Sequence, residues 1–332
     1  MLLIFDPLYW ILGMLGYFLM FLLASTIAPK IAGKFAGKFS LYTSMAILAV
    51  MILGVSSLII YVVLSVAGYY ISLFGIILFV LIVNLLMYIA SPYLINMSYS
   101  AKPSLELQRV VDVVANRLGV KPPKAVVVRG PPNAFAYGNF LTGKYVAVTD
   151  TMLKMLSQEE LEAVIGHEIG HHKHRDNAVM LIFGLLPSII FYLGYMLIHA
   201  SMSERRNQLA LLGFAAVIAS FLVQILVLAF SRLREYYADF EGALAAGKRS
   251  MQYALAKIHA FYYRYPEYHE VVAADKFRTL FIYAFVQAAA SPYVTYIDIE
   301  SLKKAKVNPV EEFLSTHPPI PKRLRFLDSL PL

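Results

Sequence analysis

The sequence predicts a multi-span α-helical membrane protein whose polar stretches fold into a mainly α, α+β domain. Two observations carry the membrane part. Of the 332 residues 59% are hydrophobic and only 15% charged, a balance outside that of soluble domains. Several uncharged runs also reach the ~20 residues that a helix needs to cross a bilayer. A third observation carries the domain: the polar remainder alternates between a helical period and a strand period. With no cysteine in the chain, disulfides, thiolate nucleophiles and cysteine metal sites are excluded, so any metal must sit on His and carboxylates. The net charge of +8 is accounted for by anionic lipid headgroups, and no nucleic-acid partner is expected.

Five spans are expected, in order, at 8–28, 41–66, 69–95, 178–200 and 208–230. The first lies in the uncharged run from Pro7 to Pro29, bounded by Asp6 and Lys30. Because its leading end has no basic flank, it reads as a retained span and not a cleaved signal. The uncharged stretch from Phe39 to Ala101 is too long for one crossing, and Ala67-Gly68 is its best site for a tight turn between two. The fourth span lies between Asp176 and Glu204, with Pro187 as an internal kink, and the fifth between Arg206 and Arg232. Lys30, Lys34 and Lys38 follow the first span while Asp6 precedes it, which places the amino terminus outside. Counting crossings from there puts 96–177 and 232–332 in the cytoplasm; Arg205 and Arg206 in the outer loop pull weakly the other way. The expected organisation is thus a membrane region 1–95, a first cytoplasmic part 96–177, a membrane hairpin 178–231 and a second cytoplasmic part 232–332.

In the first polar part, Leu105 to Leu118 has helical periodicity. Ala125 to Val128 and Tyr145 to Val148 read as strands, separated by the Pro131-Pro132 turn. Ser157 and Glu160 form a capping box, in which each side chain satisfies a free amide at a helix start. The helix that begins there runs into His167-Glu168-Ile169-Gly170-His171. Residues four apart share a helix face, so two imidazoles can hold one zinc ion while the intervening Glu reaches a water beside it. A catalytic zinc takes a third protein ligand, and Glu235 and Asp239, four apart just beyond the fifth span, are the candidates. At 1.5 Å per residue, His171 and Glu235 stand roughly 10 and 6 Å from the membrane ends of spans four and five, at matching heights.

From about Pro103 to Leu327 the chain resembles the HtpX-type membrane zinc metalloproteases and, more distantly, the CAAX prenyl proteases. The resemblance rests on Asn133-Ala134-Phe135-Ala136, the His167 to His171 motif, the run from Ser231 to Asp239 continuing to Gly242-Ala243, and His317-Pro318 with Arg323 six residues after the His. It implies a zincin-like catalytic domain with one Zn2+ per chain on His167, His171 and Glu235, and with Glu168 as general base and acid. It further implies that Asp239 orients a ligand imidazole, that His317 stabilises the oxyanion, that Arg323 buttresses the carboxylates, and that Asn133 to Ala136 form an edge strand on which substrate is laid. The family is usually drawn with two membrane segments ahead of the protease domain, and three are expected here.

The expected function is that of an integral membrane zinc endopeptidase which cleaves unfolded or extended polypeptides at the cytoplasmic face, in membrane-protein quality control. A processing protease for prenylated carboxyl termini would share these motifs. A non-enzymatic metal-binding transporter or sensor would also use His, but the five spans contain no Asp, Glu, Lys or Arg, which ion pathways generally need. His172 and His174 read as solvated helix-end residues, and His199, His259 and His269 as packing or surface residues. The Tyr- and Phe-rich region 259–300 matches no motif. Its apolar run Thr279 to Ala290 is too short to span, and is expected to be a core or interfacial helix.

Overall fold

The computed structural model describes residues 85–86, 88–204, 207–268, 298–307 and 317–332. The three expected spans before residue 84, most of the third included, lie outside these residues. So do Arg205, Arg206, His269 and the Thr279 to Ala290 run. The elements, in chain order, are α1 (88–98), β1 (Lys102–Pro103), α2 (Leu105–Arg117), β2 (Lys124–Val128), β3 (Ala134–Asn139), β4 (Gly143–Thr149), α3 (Asp150–Met155), α4 (Gln158–Lys173), α5 (Asp176–Glu204), α6 (Asn207–Ala246), α7 (Lys248–Arg264), α8 (Ile299–Lys304) and α9 (Ile320–Ser329). Val179–Phe230 belongs to one compact unit, and Tyr88–Ala178 with Ser231–Leu332 to another.

In the first unit, α5 and α6 are the two described helices long and apolar enough to cross a membrane, and they contain the stretches expected at 178–200 and 208–230. The protein is a multi-pass membrane protein. Bilayer lipid gives helices little hydrophobic reason to associate, so close backbone approach and dispersion must do it. That approach is made at Gly194 and Gly213, where a Cβ on Gly194 would lie 2.7 Å from the Gly213 carbonyl oxygen. Pro187 sits inside α5, and Ser188 Oγ donates to the Gly184 carbonyl at 3.1 Å. Two further serines likewise satisfy their hydroxyls on their own helices: Ser201 on Ile198 and Ser220 on Val217, each at 2.6 Å. Phe183 and Phe230 meet edge to face with ring centres 4.9 Å apart.

The second unit is built on a four-stranded sheet in the order β1-β2-β4-β3. β2 and β4, the strands expected from sequence, lie parallel side by side, with Ala125 opposite Val146 and Val127 opposite Val148. β3 pairs antiparallel outside β4 and forms one edge, with Ala134 opposite Val148 and Ala136 opposite Val146. Period-2 alternation divides the side chains between two faces. Ala125, Ala134, Val146 and Val148 enter the main core with α2, α4, α7 and α9, while Val126, Val128, Phe135, Tyr137 and Ala147 pack on Ile95 of α1. Tyr137 also donates its hydroxyl to Asn96 Oδ1 at 2.5 Å.

Local chemistry sets the helix that matters most. Ser157 Oγ accepts from the Glu160 amide while the Glu160 carboxylate accepts from the Ser157 amide, so α4 starts on the expected capping box. Its middle is buried against the Ser231–Ala246 part of α6, and glycine makes the contact possible. A Cβ at Gly166 would meet Ala245 Cβ at 2.5 Å, and one at Gly242 would meet the Ala163 carbonyl oxygen at 2.6 Å. The boundary expected at 231 falls inside α6, which is one continuous helix of 40 residues.

Gly242→Ala should therefore push α6 off α4 and cost about 1–3 kcal/mol, the scale of core overpacking. Gly184→Ala, whose Cβ meets nothing within 4 Å, should be neutral or stabilising. Thermal unfolding of both variants in detergent measures the contrast; equal stabilities would show that the crossing has slack.

Candidate active site

Each glycine of α4 that touches α6 directly precedes a histidine of the motif, so close packing of the backbones delivers the imidazoles to α6. His167 Nε2 lies 3.5 Å from Glu235 Oε2, His171 Nε2 lies 3.7 Å from Glu235 Oε1, and the two Nε2 atoms are 3.3 Å apart. These three ligand atoms all fall within 4.8 Å of one another, which forms a candidate metal site. Glu235 Oε2 is buried with no hydrogen-bond partner among the described residues.

The outer nitrogen of each ring is held by a carboxylate. His167 Nδ1 is 3.0 Å from Asp239 Oδ1, and His171 Nδ1 is 2.6 Å from Asp176 Oδ2. A proton on Nδ1 in each ring leaves both Nε2 lone pairs facing Glu235, an arrangement that asks for a cation between them. Burial works against charge on His167, yet the hydrogen bond that it gives to Asp239, together with the nearby carboxylate of Glu235, outweighs burial and raises its pKa to about 9. Burial likewise pulls the Glu235 carboxyl up, but His317, His171 and His167 hold it well below the usual carboxylate range. The donor set of two imidazoles and one carboxylate, with an orphaned carboxylate oxygen, fits a metal ion.

Asp239 and Arg323 are fully buried. Arg323 of α9 grips Asp239 through two hydrogen bonds, Nε to Oδ2 at 2.8 Å and Nη2 to Oδ1 at 2.5 Å. Glu168 is buried beside the cluster, and desolvation raises its pKa even though the Ala136 main-chain amide donates to it. His317 Nε2 stands 3.5 Å from Glu235 Oε1, and burial lowers the His317 pKa to about 4, which keeps the ring neutral. Asn133 precedes β3, where its carbonyl accepts from the Thr149 amide at 2.9 Å. In an antiparallel pair, every second residue then bonds to β4, so Phe135 and Tyr137 face β4 with their main chains, and Ala134 and Ala136 face the sheet edge.

Residues 101–330 match Peptidase family M48. The chain belongs to this family. It is 68% identical over 332 residues to a "Protease HtpX homolog" from Archaeoglobus fulgidus, covering 99% of each chain. It is 56% identical over 342 residues to a relative of the same description from Pyrobaculum aerophilum, covering 98% of this chain and 99% of that one. The fold is similar to the crystal structure of S. mikatae Ste24p, with a TM-score of 0.52 at 21% identity over 88% of this chain and 67% of the other. Together with the His-His-Glu cluster, membership makes this M48 protein a zinc metalloendopeptidase of the membrane.

Two M48 motif neighbours differ from their sequence reading. His172 and His174 were expected at a solvated helix end, but both are engaged. His172 is buried and donates from Nε2 to the Tyr145 carbonyl at 2.8 Å, and burial lowers its pKa to about 4. His174 Nε2 donates to Glu241 Oε1 at 3.2 Å, beside Lys173 Nζ on Glu241 Oε2 at 2.9 Å. The helix end is therefore nailed to β4 and to α6. His259 is also buried and is a packing residue.

Asp176 and Arg234 were not singled out from sequence. Five residues beyond His171 on an unbroken helix, Asp176 would point about 140° away from it. The chain instead turns at Arg175, whose φ of +56° ends α4 and swings Asp176 back onto His171. Arg234 then bridges Asp176 and Glu235, at 3.5 and 3.6 Å. A carboxylate at the start of a new helix just after a metal motif is the signal that could have flagged Asp176.

Asp176→Ala should weaken metal binding and lower turnover by about 10- to 100-fold, as for other partners of a ligand imidazole. Asp176→Asn, which can still accept from Nδ1, should lose less. Metal affinity measured with a competing chelator tests the order; equal affinities for wild type and Asp176→Ala would remove Asp176 from the site.

Proposed function

We propose that the chain cleaves extended or unfolded polypeptides at the cytoplasmic face of the membrane, with one zinc ion held by His167, His171 and Glu235, and that it serves membrane-protein quality control. The observation that carries this reading is the buried ring of two Nε2 atoms and one unpartnered carboxylate oxygen with Glu168 beside it. When bound, zinc supplies a Lewis acid that acidifies water and polarises a carbonyl.

The residues of the chain do the rest. Glu168, its proton affinity raised by burial, accepts the proton of the attacking water and later gives it to the leaving amine. His317, neutral through burial, donates a hydrogen bond to the carbonyl oxygen as negative charge develops there. Asp239 and Asp176 fix the two ring orientations, and Arg323 keeps Asp239 ionised and in place. Asn133 to Ala136 receive substrate. The main chain of Ala134 and the carbonyl of Ala136 face the sheet edge, so a peptide can add as a further strand through main-chain hydrogen bonds and with little regard to its sequence. We further assign the chain's organisation as a membrane region 1–95, catalytic parts 96–177 and 232–332, and a hairpin 178–231, with the lysines after the first span orienting the catalytic parts to the cytoplasm.

Glu168→Gln should retain its metal and lose proteolysis by about 100-fold or more. Glu235→Ala should lose metal itself, because three protein ligands become two, and Asp239→Ala should show the milder loss of an orienting partner, about 10- to 100-fold. Elemental analysis and casein turnover of the three folded variants decide. A Glu235→Ala protein with full metal, beside an Asp239→Ala protein with none, would transfer the ligand role to Asp239.

Orientation has its own test. The chain has no cysteine, so Lys102→Cys provides a single thiol, which should stay unlabelled by an impermeant maleimide in intact cells and react after lysis. Labelling in intact cells would reverse the topology.

A further inference from the structure

The turn that joins β3 to β4 carries two large apolar side chains in the open, Phe140 at 77% and Leu141 at 60% exposure. Neither belongs to the core, and a soluble surface gains nothing from such a pair. The base of the hairpin is tied to two other elements of its own unit. Asn139, itself buried, donates from Nδ2 to the Tyr88 carbonyl of α1 at 3.0 Å, and Asn177 at the start of α5 donates to the Gly138 carbonyl at 3.0 Å. Tyr88 lies within the long uncharged run that ends at Ala101, and Asn177 is the last polar residue before the apolar stretch of α5. The Asn177 tie thus falls where the chain passes from polar to apolar sequence, and the Tyr88 tie falls inside the uncharged run itself.

The tip is also prepared for a medium poor in water. A turn leaves main-chain amides without partners, which is costly where water cannot reach them. Here Asn139 Oδ1 accepts from both the Leu141 and the Thr142 amides, at 2.9 and 2.8 Å. Charge is kept away as well. From Tyr137 through Gly143 no residue is ionised at neutral pH, and Lys144 directs its Nζ to the His172 carbonyl at 3.0 Å.

We propose that Phe140 and Leu141 are seated in the lipid of the bilayer interface, so that the hairpin is a membrane anchor of the catalytic unit in addition to the spans. The occupant is lipid and not a second protein, because the ties to Tyr88 and Asn177 place the tip beside the two segments that themselves run into the apolar stretches.

The cysteine-free chain makes the test direct. Leu141→Cys and, independently, Phe140→Cys are labelled with a small fluorophore, and Glu106→Cys on the exposed start of α2 serves as reference. All three are reconstituted in nanodiscs, where both faces are open to solutes. Emission from the two tip probes should fall about twofold when brominated acyl chains replace ordinary ones, as for groups lodged at the headgroup boundary, and should resist iodide. The reference should behave in the opposite way. Tip probes quenched by iodide as strongly as the reference would place the hairpin in water and overturn the proposal. Tip probes shielded from both quenchers would mean that protein covers them, and would overturn it equally.

Discussion

Two helix backbones that touch without side chains between them set the terms for the catalytic unit. Packed helices ordinarily stand 8–10 Å apart, a distance set by the side chains at the contact. Gly166 and Gly170 on α4, and Gly242 on α6, remove those side chains where the helices cross. Side chains can then meet across the crossing: imidazoles from one helix reach a carboxylate on the other. Because each glycine of α4 is followed at once by a histidine, the residues that allow the approach and those that exploit it cannot drift apart.

That approach buries an unusual amount of charge. Glu168, Glu235, Asp239 and Arg323 are all almost fully removed from solvent, and each ion taken out of water costs several kcal/mol. The bidentate Arg323–Asp239 pair offsets part of that cost. His167 stands between the pair and Glu235, with its Nδ1 held by Asp239. At Glu168 burial outweighs the pull of His167 and His171. Two buried carboxylates of one site are thereby driven in opposite directions, Glu235 toward a permanent anion and Glu168 toward a group that exchanges its proton. Environments that separate like groups in this way are a mark of acid–base sites.

How much of this was legible in the chain depends on how local each feature is. The capping box and the i, i+4 spacing of His167 and His171 are set within a few residues, and the observed α4 follows them. The strands β2 and β4 were readable from their Val-rich runs. β3 was placed only by resemblance, because all six of its residues are buried, which leaves no polar alternation to read. Misreadings arose where the partner comes from afar: the carboxyl end of α4 looked free because nothing in sequence announces that Tyr145 and Glu241 will cover it. Asp176 was missed for a subtler reason, since a single left-handed residue, Arg175, breaks the helical extrapolation on which such a reading depends. The expected edge position of Asn133 to Ala136 gained a detail that no sequence could offer, namely that the main chain of Ala134 and the carbonyl of Ala136, and not the main chain of Phe135, face outward.

The arginine on α9 also has a consequence for how the enzyme comes into being. Arg323 lies 156 residues after the histidine it approaches and 84 after the aspartate it neutralises. Chains fold as they emerge, earlier segments first. Until α9 is made, Asp239 lacks its arginine, and burying that carboxylate without it is unfavourable. α9 thus supplies the cation that balances the buried carboxylate beside the crossing of α4 and α6. The charge balance at the metal motif therefore depends on a helix that lies far along the chain from it.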